Sequence, residues 1–272
     1  MKIQLYFKNF KLNVIKPTDI RGWQNELTDY RDENGEQYSP TYLKTIHNQL
    51  SAIMNFAVKY YGLPKNPAAQ CGSMGKKYAD AMQFWTKEEF KKFIDCVSDK
   101  PASKVIFNLL FFSGMREGEL LTLTLNDFDY ENNAVSVSKN YARLKGKDII
   151  QPPKTPKSNR VITLPKEIMD MVMEFSKKIY DYNPKDRLFQ VTKFYLTHEM
   201  ERGCKLSGVK KIRIHDLRHS HALLLIEMGF SPLLISERLG HENIETTLQT
   251  YSHLYPNKHG EVAEALSKLI SG

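Results

Sequence analysis

Between residues 39 and 62, apolar positions recur at intervals of three and four, which is the spacing of one helix face. Ser39 followed by Pro40 is typical of a helix start, and Gly62 followed by Pro64 is typical of a helix end. We therefore predict a packed helix in a helical domain that spans residues 1–68. Its apolar positions are Leu43, Ile46, Leu50, Ile53, Met54, Ala57 and Val58.

The opposite face of this predicted helix is polar. Lys44, His47 and Asn48 lie on it, and these side chains are of types that contact phosphate groups. We take them as candidate contacts to nucleic acid. A polar face that meets only water is the alternative.

Residues 69–84 lose the helical period and gather glycine, small residues and the pair Lys76 and Lys77. This composition predicts a linker between two domains, and the two lysines are further candidate DNA contacts. The second domain, residues 85–272, starts with Thr86 and Glu89 at the spacing of a helix capping box. The helical pattern continues to about Leu125.

Two short segments of the second domain, 134–139 and 160–164, alternate β-branched and other residues as paired strands do. Between them we predict a long basic turn, and after Lys166 the helical pattern returns. A short amphipathic tail helix ends the chain. The fold class is therefore mainly α with a small antiparallel β-sheet. The lysines of the predicted turn are Lys145, Lys147, Lys154 and Lys157.

Composition narrows the class of protein. The 272 residues are 41% hydrophobic and 26% charged, as in ordinary globular proteins. The net charge of +8 favours a polyanionic partner. An uninterrupted apolar run of about 18 residues is absent from the sequence, so we predict a cytoplasmic protein with no membrane span. Cys71, Cys96 and Cys204 are too far apart for a zinc motif or a disulfide framework.

One acidic cluster, Asp127, Asp129 and Glu131, is the candidate for a hard-cation site. A calcium loop needs glycine at its sixth position and glutamate at its twelfth, where this chain has Asn132 and Ser138. We therefore predict a polar turn, and a reaction that needs no metal and no cofactor.

The basic and imidazole side chains are more informative. Arg116 and Glu119 lie three residues apart in GMREGELLTL, where a surface ion pair is the simplest interpretation. His215, Arg218 and His219 share a helix face in HDLRHSHA, where core or capping histidines are the alternative.

His241 and Tyr251 follow later in LGHENIETTLQTYSH. Arginine binds two phosphoryl oxygens at once, histidine exchanges protons near neutral pH, and lysine can protonate a leaving oxygen. A tyrosine surrounded by such groups can attack a phosphodiester, although its ordinary pKa is about 10. The set therefore fits phosphoryl transfer without a metal.

These three segments, in this order, resemble the signature boxes of the tyrosine recombinases, the phage integrase family that includes conjugative-transposon integrases. The segment SPTYLKTIHNQLSAIMNFAVKYYGLPKNPA resembles the end of that family's core-binding domain. The resemblance implies two domains that clamp double-stranded DNA. It also implies a site-specific recombinase, bacterial or phage-encoded, that integrates or excises a mobile element through a 3′-phosphotyrosine intermediate.

The resemblance also assigns catalytic roles. Arg116 and Arg218 would bind the nonbridging oxygens of the scissile phosphate, and His241 would bond the same phosphate. His215 would be the general base for Tyr251, the nucleophile.

The family's lysine, the acid for the 5′ leaving oxygen, has two candidates here. Lys154 is preferred because it directly precedes a small turn residue, Thr155, and Lys157 is the runner-up and a further DNA contact. Glu119 would be a structural partner of the first arginine, and His219 would brace the site.

Several expectations concern assembly. The family's tail helix often packs on a neighbouring protomer, which implies a homotetramer on recombining DNA, whereas packing on its own domain is the alternative. The resemblance also leaves open a requirement for an accessory DNA-bending protein. Because the chain begins about 40 residues before SPTYLK, the core-binding domain is expected to be incomplete, in an arm-less recombinase or in part of a longer protein.

Three other functions compete with this interpretation. A type IB topoisomerase would use the same ester to relax supercoils, and a catalytically idle DNA-binding protein would have lost a catalytic position. A metal-dependent nuclease would need carboxylates that the sequence does not offer.

Overall fold

In a computed structural model, the described residues are 2–76, 82–153, 155–255 and 259–271. The chain divides into two compact units, Met1–Met82 and Gln83–Gly272. Among the described residues, no helix combines the length and the apolar character needed to cross a membrane.

The first unit is helical. The predicted helix between Ser39 and Gly62 is confirmed as α3, and the Ser39 hydroxyl accepts from the backbone N–H of Tyr42 at its start. Ile53 and Val58, expected to be buried, are 45% and 36% exposed, so the packed face is narrower than predicted. The helices are α1 (Lys2–Phe7), α2 (Pro17–Asp29), α3 (Pro40–Tyr60) and α4 (Pro67–Cys71), with a 3-10 turn at Leu12–Val14.

His47 lies in the core of this unit, so its prediction as a DNA contact is wrong. The side chain is 4% exposed, and the Gln24 amide donates to its Nδ1 at 3.2 Å. Burial lowers the pKa of His47, which keeps the ring neutral. Asn48 is exposed, as expected, and the half-buried Lys44 donates to the Ser73 hydroxyl at 2.6 Å.

Residues 69–76 belong to the first unit and not to a linker. Ala68, Cys71 and Met74 are part of its hydrophobic core, and the backbone N–H of Lys76 donates to the Pro40 carbonyl at 3.1 Å. A run of small residues packs closely here, which composition alone does not distinguish from a flexible segment. Lys77 lies outside the described residues.

The second unit is built around α6, which is buried on nearly all sides and packs against α5, α7, α8 and α10. The predicted capping box of Thr86 and Glu89 is confirmed at the start of α5. The helices are α5 (Lys87–Val97), α6 (Pro101–Ser113), α7 (Glu117–Leu120), α8 (Lys166–Ser176), α9 (Lys193–Ser207), α10 (Asp216–Glu227), α11 (Pro232–Leu239), α12 (Ile244–Tyr251) and α13 (His259–Ser271).

Two antiparallel sheets accompany these helices. The predicted strand pair is confirmed as β2 (Ala134–Val137) against β5 (Arg160–Thr163), with β1 (Phe128–Asp129) beside β2. The long basic turn predicted between them is wrong, because β3 (Asn140–Leu144) and β4 (Lys147–Gln151) form a second hairpin there. Lys145 and Gly146 connect these strands with φ of 50° and 80°, as in a tight hairpin turn.

The acidic cluster forms the expected polar turn. Asp129 accepts from the backbone N–H groups of Glu131 and Asn132, and Asp127 accepts from Lys139. The described residues include no group of three or more His, Cys, Asp or Glu side chains placed to hold a metal ion.

A buried carboxylate joins α9 to the start of α6. Glu199 has no exposed surface and accepts hydrogen bonds from Lys100, Ser103 and Arg202. Burial opposes its ionisation, but the hydrogen bonds from Arg202, Lys100 and Ser103 outweigh burial and lower the pKa of Glu199 to about 2. The ionised carboxylate therefore stabilises the folded state.

Glu199→Gln removes this charge while keeping the volume. We expect a loss of about 2 to 3 kcal/mol in the free energy of unfolding at neutral pH, less than for fully buried partners because Lys100 and Arg202 are partly exposed. Since the folded pKa is lowered, the stabilisation is complete above the ordinary carboxyl pKa and is lost as the pH falls towards about 2. Urea unfolding of parent and variant near neutral pH and at about pH 3 measures both effects.

The control is Asp170→Asn, which breaks an exposed pair with Lys166 and should cost under about 0.5 kcal/mol. Equal losses for the two variants would contradict the structural role given to Glu199.

Candidate active site

The site lies in the second unit, where separated segments of the chain meet. Arg116 directly precedes α7, Arg218 lies in α10, His241 lies between α11 and α12, and Tyr251 is the last residue of α12. A cavity of about 420 Å³ opens between the segments of Arg116 and His241 and the end of the β3–β4 hairpin, and Arg218 and Tyr251 do not line it. Its lining includes Arg116, Glu119, Asn140, Pro153, Thr155, Gly240 and His241.

Arg218 is a buried cation with 3% of its surface exposed. Its guanidinium donates to the carbonyls of Gly114, at 2.8 Å, and Leu239, at 2.6 Å. Both carbonyls lie at C-terminal helix ends, those of α6 and α11, where the peptide dipoles place partial negative charge. Burial, followed by the charges of Arg116 and Arg160, lowers the pKa of Arg218 to about 9, so the group stays charged at neutral pH.

Glu119 is shared by two arginines. It is 3% exposed and accepts from Arg116 at 2.7 Å and from Arg160 at 2.9 Å. Burial opposes its ionisation, but the hydrogen bond and charge of Arg160, with those of Arg116, keep its pKa below the ordinary value. Glu119 is therefore a structural carboxylate, and the exposed surface-pair interpretation is wrong.

Sequence reasoning missed Arg160. It lies at the start of β5, 41 residues after Glu119, and it also donates to the carbonyls of Ser158 and Arg238. A strand-start arginine in a basic segment gave no local signal of this role. Its position next to the predicted turn lysines was the available hint.

His221, the third histidine of HDLRHSHA, is a core residue that packs against the C-terminal end of α6. Its Nδ1 bonds the Phe111 carbonyl at 2.8 Å, and its Nε2 accepts from Arg238 at 3.0 Å. The ring packs against Gly114, which has a φ of 66°. A Cβ on Gly114 would lie 2.5 Å from the imidazole Cδ2, so this position requires glycine.

His241 is held by a side chain of α12. Its Nδ1 lies 2.7 Å from the Thr247 hydroxyl, and its backbone N–H donates to the Ser236 carbonyl. Burial, followed by the charge of Arg218, lowers the pKa of His241 to about 3. The ring is therefore neutral at physiological pH and can donate a hydrogen bond to an anion.

Tyr251 is buried, with 1% of its surface exposed, and its hydroxyl lies 2.7 Å from Nδ1 of His219. Burial raises the pKa of Tyr251 to about 12, although Arg218 acts in the opposite direction. His215 contacts His219 edge-to-face, with ring centroids 5.3 Å apart. His215 keeps exposed surface, and desolvation by the surrounding protein, with Arg218 second, lowers its pKa.

The preferred lysine, Lys154, lies outside the described residues. Its neighbours Pro153 and Thr155 line the cavity together with Arg116 and His241. Lys157, the runner-up, donates from Nζ to the Glu242 carbonyl at 2.8 Å. Both candidates stay predictions.

Comparison with known proteins places this arrangement in a family. The model of the phage integrase family matches residues 83–258. The ICEBs1 integrase of Bacillus subtilis is 32% identical over 262 residues, which cover 90% of this chain and 70% of that protein. A tyrosine recombinase XerC-like protein of Caldanaerobacter subterraneus is 28% identical over 301 residues, covering 97% and 75% of the two chains.

Solved structures share the fold. A structure of the Tn1549 transposon integrase in complex with a circular intermediate DNA superposes with a TM-score of 0.80 at 20% identity, covering 99% of this chain and 91% of that one. A lambda integrase dimer bound to a COC′ core site gives a TM-score of 0.62 at 17% identity, covering 90% and 85%. The mainly helical fold with small antiparallel sheets is therefore the fold of these integrases.

Gly114→Ala tests the close packing of Gly114 against the ring of His221. Gly208→Ala is a matched control, because Gly208 also ends a helix in the left-handed conformation but has open space around it. We expect the control to lose about 1 kcal/mol of unfolding free energy from backbone strain. Gly114→Ala should lose about 3 kcal/mol, because the methyl group also overlaps His221. Urea unfolding measures both, and equal losses would rule out this close packing.

Proposed function

This chain belongs to the phage integrase family and is a tyrosine-type site-specific recombinase, and we propose that it cuts and rejoins double-stranded DNA with Tyr251 as its nucleophile. One observation carries the assignment. Arg116, Arg218, His241 and Tyr251 come from four separate segments of the chain and meet around one site. The element that it serves would be a mobile one, as the names of its relatives indicate.

The scissile phosphate would bind between the two arginines. Glu119 orients Arg116, and the carbonyls of Gly114 and Leu239 orient Arg218. The remaining N–H groups of these planar forks suit phosphate oxygens. With Nδ1 of His241 accepting from Thr247, its Nε2–H would donate to the same phosphate, so charge that develops in the transition state meets fixed donors.

The Tyr251 oxygen would then attack phosphorus and displace the 5′ oxygen, leaving a 3′-phosphotyrosine. The leaving oxygen needs a proton, for which Lys154 and Lys157 are the candidates. The lining of the cavity by Pro153 and Thr155 supports Lys154. Since the ester keeps the energy of the broken linkage, attack by another 5′ hydroxyl rejoins strands without ATP.

Basic side chains would contact the DNA backbone outside the site. In the first unit these are Lys44 and Lys76, joined by the exposed Asn48, and in the second unit Lys157. Lys77 and Lys154 are proposed from sequence alone. Such contacts release counterions, so affinity should fall with salt. The reaction would take place in the cytoplasm of a bacterium, where the chromosome and its mobile elements are found.

Tyr251→Phe tests the nucleophile. The parent, incubated in EDTA with a library of nicked random-sequence duplexes, should give a covalent protein–DNA band on denaturing electrophoresis. Tyr251→Phe should give none, because the attacking oxygen is missing. Tyr255→Phe is the control, since Tyr255 is four residues away and its hydroxyl faces the Phe230 carbonyl.

A band that persists in Tyr251→Phe would refute the assignment. No band from the parent with any duplex would favour an idle DNA-binding protein, and a band that EDTA abolishes would favour metal-dependent cleavage.

A homotetramer on recombining DNA is the assembly that we propose, with the tail helix α13 as the contact between protomers. Leu269 and Ile270 of this helix are 80% and 87% exposed. An apolar surface between β5 and α11 includes Val161, Phe230 and Leu234 and suits such side chains. An accessory DNA-bending protein is compatible with this assembly.

Replacing Leu269 and Ile270 together by aspartate should break that contact. On DNA selected by covalent capture, light scattering should give a tetramer for the parent and a smaller complex for the double variant. Leu206→Asp, at an exposed leucine of α9, is the control and should leave the mass unchanged. A double variant with the parental mass would contradict the role of the tail helix as the contact between protomers.

A further inference from the structure

The hydroxyl of Tyr251 contacts His219, and the family's motif assigns the role of base to a different histidine, His215. The Oη–Nδ1 distance of 2.7 Å is that of a full hydrogen bond. With the imidazole proton on Nε2, the Tyr251 hydroxyl donates this hydrogen bond and Nδ1 of His219 accepts it. His215 contacts the ring of His219, with centroids 5.3 Å apart.

We propose that His219 is a catalytic residue that takes the proton from Tyr251 as the phenol attacks the phosphate. The bond from Oη to phosphorus forms, the bond from phosphorus to the 5′ oxygen breaks, and the Oη proton moves to Nδ1 of His219. The proton for the 5′ oxygen comes from the lysine. In rejoining, His219 returns its proton to the departing Tyr251 oxygen. The inference rests on the proposed role of Tyr251 as nucleophile.

The surroundings of His219 keep this transfer from occurring without DNA. Burial, followed by the charge of His215, lowers the pKa of His219 to about 4, while the pKa of Tyr251 is raised to about 12. The proton therefore stays on the phenol in the free protein. The ionisable groups around His219 are His215, Asp216, Arg213 and Arg218 from its own segment and His241 and Tyr251 from the segments that follow.

A bound phosphate changes this balance. Its negative charge next to Arg218 offsets the effect of that arginine on the imidazole and makes protonated His219 more favourable. The hydroxyl becomes strongly acidic as its oxygen bonds to phosphorus. Transfer then occurs within the attack step, where a positioned base accelerates the reaction by about 10² to 10⁴.

His219→Asn and His219→Ala separate proton transfer from positioning. The asparagine amide can accept the Tyr251 hydrogen bond but does not take up a proton, whereas alanine removes both. On a duplex selected by the parent, we expect both variants to form the covalent complex at least about 10²-fold more slowly than the parent. The rise of the parental rate with pH, caused by ionisation of His219, should be absent in His219→Asn. His198→Ala, at an exposed histidine of α9, should keep the parental rate.

A duplex with sulfur in place of the scissile 5′ oxygen identifies the step affected. The thiolate leaves without needing a proton from an acid. This substrate should therefore restore cleavage when the lysine that acts as the acid is replaced, but not in His219→Asn. DNA affinity by gel shift and the urea midpoint of each variant should match the parent.

A parental rate and pH profile in His219→Asn would overturn the proposal and leave His219 a positioning residue. Rescue of His219→Asn by the sulfur substrate would make it part of the acid system and overturn the proposal as well. Tyr251→Phe reports separately on the nucleophile, so slow cleavage in the histidine variants is not confused with failure of the proposed function.

Discussion

Two of the three guanidinium groups in this site share one buried carboxylate. Arg116 and Arg160 both bind Glu119, and Arg218 is stabilised by carbonyls at the ends of α6 and α11. Burial, followed by the excess of positive charge, lowers the pKa of the neighbouring histidines His215 and His241. Helix ends and hydrogen bonds hold the cations together at a distance where they repel one another, and the proposed binding of a phosphate anion would relieve that repulsion.

Sequence patterns predicted the parts of the fold that depend on interactions between residues close in sequence. The caps at Ser39 and Thr86 and the alternation in β2 and β5 were readable, because each depends on residues close in sequence. The β3–β4 hairpin was missed because β4 is exposed throughout and lacks the alternation of a half-buried strand. His47 was misplaced because it is buried and its hydrogen-bond partner, Gln24, lies on another helix.

The chemistry of the site was predictable in its residue types and less so in its contacts. Motif resemblance predicted the arginines, histidines and tyrosine of the site, but Arg160 enters it through a carboxylate 41 residues earlier in the chain. The partner of Tyr251 likewise depends on how α12 packs beside α10, which the order of residues within a motif does not determine. Lys154 and Lys157 lie three residues apart in one basic segment, so the sequence alone does not decide which of them is the acid.

The burial of Tyr251 has a consequence for the cell that carries this enzyme. A phenol with 1% of its surface exposed, in the neutral form, is out of reach of reactive metabolites and does not attack phosphates that merely pass the surface. With Tyr251 as the proposed nucleophile, this burial would suppress stray strand breaks and dead-end adducts in DNA that the protein does not hold at its active site.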